Sequence, residues 1–456
     1  MYQSLVEMMM EPKGGRIASG TEYSWCRAVP GGTGIAVLAI LTSKVPETSG
    51  LQDALNKLQS YHPILRSRLH TNPSKNTFSF VTSPTTFIQV KSFNLSSTSK
   101  ILESSERFSI APLQLILEHE LNENAWCNLK CTSTTDMLYA SSYALPDAKW
   151  VVALRLHVAA CDRTTAVSLL KELLLVLVSD DDQEPEGRGE VNLAIEALIP
   201  KGKAKKALWA RGRDMLTYSV NSLKSTNLKF IDAKSPRSSQ VVRLQLNKDD
   251  TERILLTCKS RGIKLCGMLA AAGLIAAHNS DNQRKYAVAT LTDCRSIIEP
   301  PLSNHRFGFY HSAIMNTHLI KSGEKLGDLA KKIYTAFVNS KHCNRHFSDM
   351  ADLNFLMCKA IENPSLTPAS SLRSSFMSVF EDSVFDSSNE MQQQVGLEDY
   401  MGCASVHGIG PSIALFDTIR DGRLDCVCVY PSPLHSREQM QELVEKMKSV
   451  LVQNVG

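Results

Sequence analysis

Residues 154–174 read LRLHVAACDRTTAVSLLKELL, and the fold follows from how this stretch divides. Its first part closes the apolar run KWVVALRLHVAA, residues 149–160, which predicts a buried strand. Its second part opens TTAVSLLKELLLVLV, residues 164–178, which predicts a helix. The most apolar portion, Val167 to Val178, spans about 12 residues and contains Lys171 and Glu172, so it reads as a core helix too short to cross a bilayer.

The same strand-then-helix grammar recurs on both sides. Residues 33–42, TGIAVLAILT, predict another buried strand. A helix follows with Leu51, Ala54, Leu55 and Leu58 at helical spacing, and His62-Pro63 ends its regular part because proline disfavours helix at the residue before it. Residues 77–82 and 86–93 predict the strands of a hairpin. Beyond the central helix the composition breaks. DDDQEPEGRGE, residues 180–190, is acidic and turn-rich, and KGKAKKALWARGR, residues 201–213, is basic and expected to be a solvated helix face. This break predicts a first lobe over 1–179, a crossover over 180–239 and a second lobe over 240–456.

The second half repeats the pattern. A strand is expected over 240–246, and a helix over 249–260 stopped by Gly262. The small-residue helix LCGMLAAAGLIAAH and the strand YAVATLTDCRS come next. Amphipathic helices are expected over 325–340 and 351–362, and a hairpin over 412–418 and 424–430 turns at Asp421-Gly422. The last helix has Ser436 as its N-cap and Gln439 three residues on. Strands and helices mix without strict alternation, which predicts an α+β fold rather than one doubly wound sheet.

Composition bounds the function. A chain of 456 residues with 43% apolar and 21% charged residues predicts a globular protein of two lobes. A formal net charge of +4 is small for this length and argues against a nucleic-acid or membrane-surface partner. The 12 cysteines show no CxxC pairing, so buried reduced thiols are expected. The N-terminus, MYQSLVEMMMEPKGG, carries acids and no long apolar run, which predicts a cytoplasmic protein without a secretory signal.

Four segments resemble the chloramphenicol-acetyltransferase-like superfamily, which includes condensation domains of peptide synthetases, alcohol acetyltransferases and the plant BAHD acyltransferases. They are ALNKLQSYHPILRSRL, residues 54–69; LRLHVAACDRTTAVSLLKELL, where that family carries HHxxxDG; TERILLTCKSRGIKLCGMLAAAGLIAAH with TLTDCRSIIEPPLSNHRFGFY; and LDCVCVYPSPLHSREQMQELVEKMKSVL. They lie in the family's order and cover nearly the whole chain. The resemblance implies two lobes with a tunnel between them, where a thioester donor and a small-molecule acceptor meet at a histidine general base. It implies acyl-CoA as co-substrate with no other cofactor, and a monomer. It makes Asp162 and Arg295 a structural ion pair.

The sequence departs from that pattern where the chemistry sits. Four residues before Asp162, in the place of the base, stands Val158, which has no proton chemistry. His157 matches the first histidine of the motif and is the nearest replacement, but in an extended chain it would point away from Val158. Arg163 replaces the motif glycine and is expected to narrow or recharge the tunnel. His305 and His311, in NHRFGFYH, flank the Phe-Gly turn near the tunnel wall and are the other candidate bases. Cys161 would be a nucleophile only if exposed and ionised. His342 and His346, at i and i+4 with Cys343 and Asp349 close by, have a metal-ligand spacing, but HExxH lacks its glutamate here and no metal is expected. The expected activity is therefore acyl transfer to a hydroxyl or amine with unusual or weakened catalysis. The competing reading is a non-catalytic relative that binds a ligand or partner through the old tunnel.

Overall fold

The computed structural model describes residues 15–44, 48–103, 110–127, 134–178, 193–278, 282–386 and 389–453. The strands of the two large sheets are β1 (Thr33–Thr42), β2 (Val90–Phe93), β3 (Leu138–Ala144), β4 (Trp150–His157), β5 (Ser238–Gln245), β6 (Arg284–Asp293), β7 (His311–Ile320), β8 (Arg373–Phe380), β9 (Leu397–Val406), β10 (Gly410–Arg420) and β11 (Arg423–Ser432). The first sheet has the order β9-β1-β4-β3-β2, and the second β7-β6-β8-β10-β11-β5, with Val384–Asp386 added beside β10. A smaller sheet joins Arg16–Ile17, Thr77–Thr82, Ser67–Asn72 and Thr134–Asp136. The helices that matter to the site are α1 (Thr48–Tyr61), α2 (Arg163–Val178), α3 (Leu208–Lys224), α4 (Leu265–Ala277), α5 (Leu326–His342), α6 (Met350–Glu362) and α7 (Arg437–Gln453).

Each large sheet carries its own core. β1 and β4 pair antiparallel with Ile35 opposite His157, and their side chains pack with Leu55 and Leu58 of α1 and Leu169 and Leu173 of α2. In the second lobe α4 lays Met268, Leu269 and Leu274 against Phe376, Ile413 and the Met440, Leu443 and Met447 stripe of α7. Both cores are buried apolar layers of the kind that an α+β pattern demands. Ser436 caps α7 by accepting the Gln439 amide at 3.2 Å. The β10–β11 hairpin turns at Asp421-Gly422 as its sequence predicts, with φ of 51° and 74°.

Three expectations need correction. Residues 77–82 do pair as a hairpin, but with Ser67–Asn72, while 86–93 shortens to β2 and runs parallel to β3 in another sheet. The turn is set by Asn72, whose side chain accepts from Ser74 Oγ at 2.7 Å and the Lys75 amide at 3.1 Å, an Asx-type turn that closes the chain before Thr77. Residue 240 does not separate two contiguous lobes, because β9 from the second half pairs antiparallel with β1 and completes the first sheet. Its addition covers an edge that β1 would otherwise expose. Finally, the basic run is not all solvated. Lys201, Lys203 and Lys205 are exposed, but Lys206 is 8% exposed and bonds Asp214, Asp349 and Asp352 at 3.1, 2.7 and 2.9 Å. The acidic run 180–190 and residues 1–14 lie outside the described residues.

No single helix among the described residues is long and apolar enough to cross a membrane. The described cysteines are all free, and most are buried.

Candidate active site between the lobes

The polypeptide leaves β4 at His157, makes one short 3-10 turn over Val158–Ala160, and enters α2 at Arg163. Asp162 sits at that joint and is 3% exposed. Its Oδ1 accepts from Arg295 Nη2 at 3.0 Å and the Thr165 amide at 2.8 Å. Its Oδ2 accepts from Arg295 Nη1 at 2.8 Å, the Tyr310 amide at 2.8 Å and His311 Nδ1 at 3.1 Å. Burial alone would raise this carboxyl, but the Arg295 guanidinium and then His311 outweigh it and hold it well below the usual carboxylate range. The pair expected from sequence, Asp162 with Arg295, is therefore formed.

The same joint ties the lobes together. Gly308 O accepts from the Asp162 amide at 3.1 Å and from Thr165 Oγ1 at 3.1 Å. Gly308 has φ of +151°, and a Cβ there would lie 2.8 Å from the Tyr310 ring, so only glycine allows this closure. Between the lobes lies a cavity of about 820 Å³, walled by Val158, Asp162, Arg163, His311, Phe380 and Arg373 among others. It draws side chains from both sheets and is of the size that takes a small molecule.

Solved structures share this fold. Polyketide synthase associated protein 5 from Mycobacterium tuberculosis superimposes with a TM-score of 0.67 at 17% identity, over 97% of this chain and 99% of that one. A trichothecene 15-O-acetyltransferase from Fusarium sporotrichioides gives a TM-score of 0.71 at 10% identity, over 96% and 94%. The first condensation domain of the calcium-dependent antibiotic synthetase gives 0.65 at 12%, over 97% and 98%. This is the chloramphenicol-acetyltransferase-like fold. No protein-family model matches the chain, and no curated protein sequence does. At these identities the likeness carries the fold alone.

Within this fold Val158, the residue expected from the sequence resemblance to stand in place of a base, lines the cavity. Its side chain approaches the backbone of β1 so closely that a Cβ on Gly34, at φ +91°, would lie 2.6 Å from Val158 Cγ1. His157 does not replace it. The imidazole turns into the first core, is 0% exposed, and packs edge-on to Trp126 at 5.4 Å. Its Nδ1 accepts the Ala159 amide at 3.1 Å, while Nε2 is buried without a partner. Burial lowers its pKa to about 3, so it is neutral and walled off from the cavity. His157 is thus excluded as the base, because the 3-10 turn at Val158 sends the two neighbours to different environments.

His305 is excluded on geometry too. Its side chain is 59% exposed, and Nδ1 meets Glu172 Oε1 at 2.7 Å, away from the residues that line the cavity. Glu172 also bonds His62 Nε2 at 2.6 Å, and His62 stacks on Phe307 at 3.6 Å. Cys161 is buried, its thiol pushed up by burial and by Asp162, which rules out a thiolate nucleophile. Arg163 lines the cavity, but its guanidinium is engaged elsewhere: it donates to Asp382 O at 3.0 Å and Asp417 Oδ1 at 3.0 Å, and lies 4.4 Å over Phe380. The cation expected to recharge the tunnel is paired, and it serves as a clamp from α2 to the second lobe. His342 and His346 do not share a helix. α5 ends at His342, Asn344 takes φ +55°, and His346 falls in the separate turn Arg345–Ser348. Among the described residues no group of three His, Cys, Asp or Glu side chains is arranged to hold a metal ion.

His311 is the exception. It is 5% exposed and lines the cavity beside Phe380, with ring centroids 5.7 Å apart. An ionised carboxylate can only accept, so Nδ1 carries a proton toward Asp162, and in that neutral tautomer Nε2 would hold the lone pair. The result is a carboxylate-oriented imidazole on the tunnel wall, supplied by the second lobe instead of by the motif loop.

Proposed function

We propose that this protein is an acyltransferase that moves an acyl group from a thioester, acyl-CoA, to a hydroxyl or amine of a small metabolite, with His311 as general base. The single observation that carries the reading is the His311–Asp162 pair on the wall of the inter-lobe cavity. Nε2 of His311 takes the proton of the acceptor as its oxygen or nitrogen attacks the thioester carbonyl. The tetrahedral adduct collapses with loss of the thiolate, and the imidazolium returns the proton to it, releasing free thiol. Asp162 fixes the tautomer and orientation of the ring, as a carboxylate partner does for a catalytic histidine. Arg295 shares that carboxylate and balances its charge.

The test is thiol release from a panel of acyl-CoAs with mixed hydroxyl and amine acceptors. Acceptor-dependent release is expected from the native protein. It should fall about 10²–10⁴-fold in His311→Ala, the usual worth of general-base help, and stay unchanged in His157→Ala. Turnover that survives His311→Ala would remove the assignment of the base. One observation favours a second reading: Val158 occupies the place of the motif base, and a protein that only binds a ligand needs no base there. Silence in the native protein, with release appearing in Val158→His, would establish that second reading.

A further inference from the structure

The cavity runs along β8. His311 stands at its Phe380 end and Arg373 at the other, seven residues away, which is roughly 23 Å of extended strand. Arg373 is 1% exposed and lines the cavity. Its guanidinium donates only to backbone carbonyls: Nε to Ser371 O at 3.0 Å, Nη1 to Val406 O at 3.0 Å and Pro411 O at 2.6 Å, and Nη2 to Gly408 O. Among the described residues no carboxylate lies within ion-pair distance of it. Other buried guanidiniums here do have one: Arg295 meets Asp162 at 2.8 Å, Arg437 meets Glu118 at 2.7 Å, Arg155 meets Glu120 at 2.7 Å and Arg163 meets Asp417 at 3.0 Å. A second cation, Arg237, acts on Arg373 and is itself bonded to the carbonyls of Ser371 and Ser370.

Carbonyl dipoles satisfy the N–H groups of Arg373 without cancelling its charge, and a buried uncancelled charge is costly unless an anion meets it. Two further groups wait beside it. Ser375 Oγ and Thr33 Oγ1 are buried, without a hydrogen-bond partner, and both residues line the cavity. Ser375 is two residues along β8 from Arg373. Thr33 Oγ1 borders the same loop that caps Arg373, since a Cβ on Gly408 would lie 2.8 Å from it. Apolar side chains such as Val37, Ala404, Ile409 and Ala414 make up much of the remaining wall.

We infer that the Arg373 end of the cavity is an oxyanion subsite, and that the ligand is an elongated apolar molecule carrying a carboxylate or a phosphate monoester at the end remote from His311. Arg373 supplies the charge, with one Nη2 hydrogen left over from its carbonyl contacts, and the Ser375 and Thr33 hydroxyls supply the remaining donors. This rests on the cavity being a ligand site and does not require turnover.

Calorimetric titration of the full chain with dodecanoate, dodecyl phosphate and dodecanol tests it. An oxyanion held by a charge-assisted contact is expected to bind about tenfold or more tighter than the neutral alcohol. Preference for dodecanoate assigns a carboxylate, and preference for the phosphate assigns a phosphate monoester; either supports the subsite. Arg373→Gln, shown folded by its melting curve, should bind the anion and the alcohol within about twofold of each other, a difference of under half a kcal/mol. Should that variant not fold, the Thr33→Val/Ser375→Ala pair must lower the preference at least threefold. Equal binding of anion and alcohol by the native protein, no binding of either anion, or an unchanged preference in the folded variants overturns the subsite. A lost subsite with His311-dependent turnover intact, or the reverse, therefore separates this inference from the proposed activity.

Discussion

Asp162 is the residue on which the centre of the molecule turns. Five donors converge on its two oxygens, and four of them come from beyond its own turn of chain, from Arg295, Tyr310 and His311. Replacing it by asparagine leaves Arg295, 2% exposed, with Asp293 at 3.2 Å as its remaining counter-charge. Breaking a buried pair from one side typically costs about 3–5 kcal/mol, and because Asp293 still faces Arg295, Asp162→Asn should lose stability toward the lower end of that range in urea denaturation. Arg295→Met should lose a similar amount, and the double variant less than the sum of the two. A loss below about 1 kcal/mol in Asp162→Asn would mean that the carbonyl and amide network holds the joint without the charge. Gly34 gives a second residue-scale expectation. An added Cβ meets Val158 at 2.6 Å in a left-handed backbone, so Gly34→Ala should destabilise by more than about 1 kcal/mol. Val158→Ala should recover only part of that, because it relieves the contact and not the backbone strain. Full recovery in the double variant would locate the whole cost in the contact.

At the scale of elements, the segment leading into α3 behaves as a strap across the second lobe. α3 buries none of its own residues, and Leu208, Trp209, Leu216 and Leu223 are exposed. Its attachment is ionic: Lys206 reaches Asp349 and Asp352 at the start of α6, and Tyr218 with Arg345 closes on Asp349. Asp349 and Asp352 are 2% exposed each, so removing Lys206 leaves two carboxylates that must share Arg211 and Arg345. Lys206→Met should therefore release the strap before it affects either core. Hydrogen exchange should show faster amide exchange over residues 200–224, with β6 and β8 unchanged. Uniform acceleration along the whole chain would show instead that the cluster supports the global fold.

At the scale of the whole molecule, β9 lends a strand of the second half to the first sheet, and the Arg163 clamp returns a side chain of the first lobe to the second. The two lobes share a sheet and a charge pair, which predicts one cooperative thermal transition rather than two. Acid should weaken it. Burial lowers His157 to about 3 and His318, His346, His407 and His435 to about 4, below the ordinary imidazole value of about 6.5. As pH falls below that ordinary value the unfolded chain takes up protons that the folded chain refuses, so stability is lost on going down, until the pH reaches the folded values near 4. Each imidazole contributes on the order of 1–2 kcal/mol of this loss by pH 5. The melting temperature should therefore drop steeply between pH 7 and pH 5. A flat profile over that range would mean that these rings are protonated in the folded state.

Local chemistry in the sequence determined much of this protein. Apolar runs at residues 33–42 and 150–157, the Asx turn at Asn72, the glycine after residue 261, the Asp421-Gly422 turn and the capped last helix are short-range features, written in neighbouring residues. The Asp162–Arg295 pair was legible as well, because both members sit in recognisable segments. Tertiary structure alone decided the rest. The transfer of β9 into the first sheet and the seclusion of His157 beside Trp126 depend on contacts between residues far apart in the chain. So does the choice among the histidines: residue types name His157, His305 and His311 alike, and only the closing of two lobes over one cavity places His311 against Asp162 and leaves Arg373 with carbonyls instead of a carboxylate.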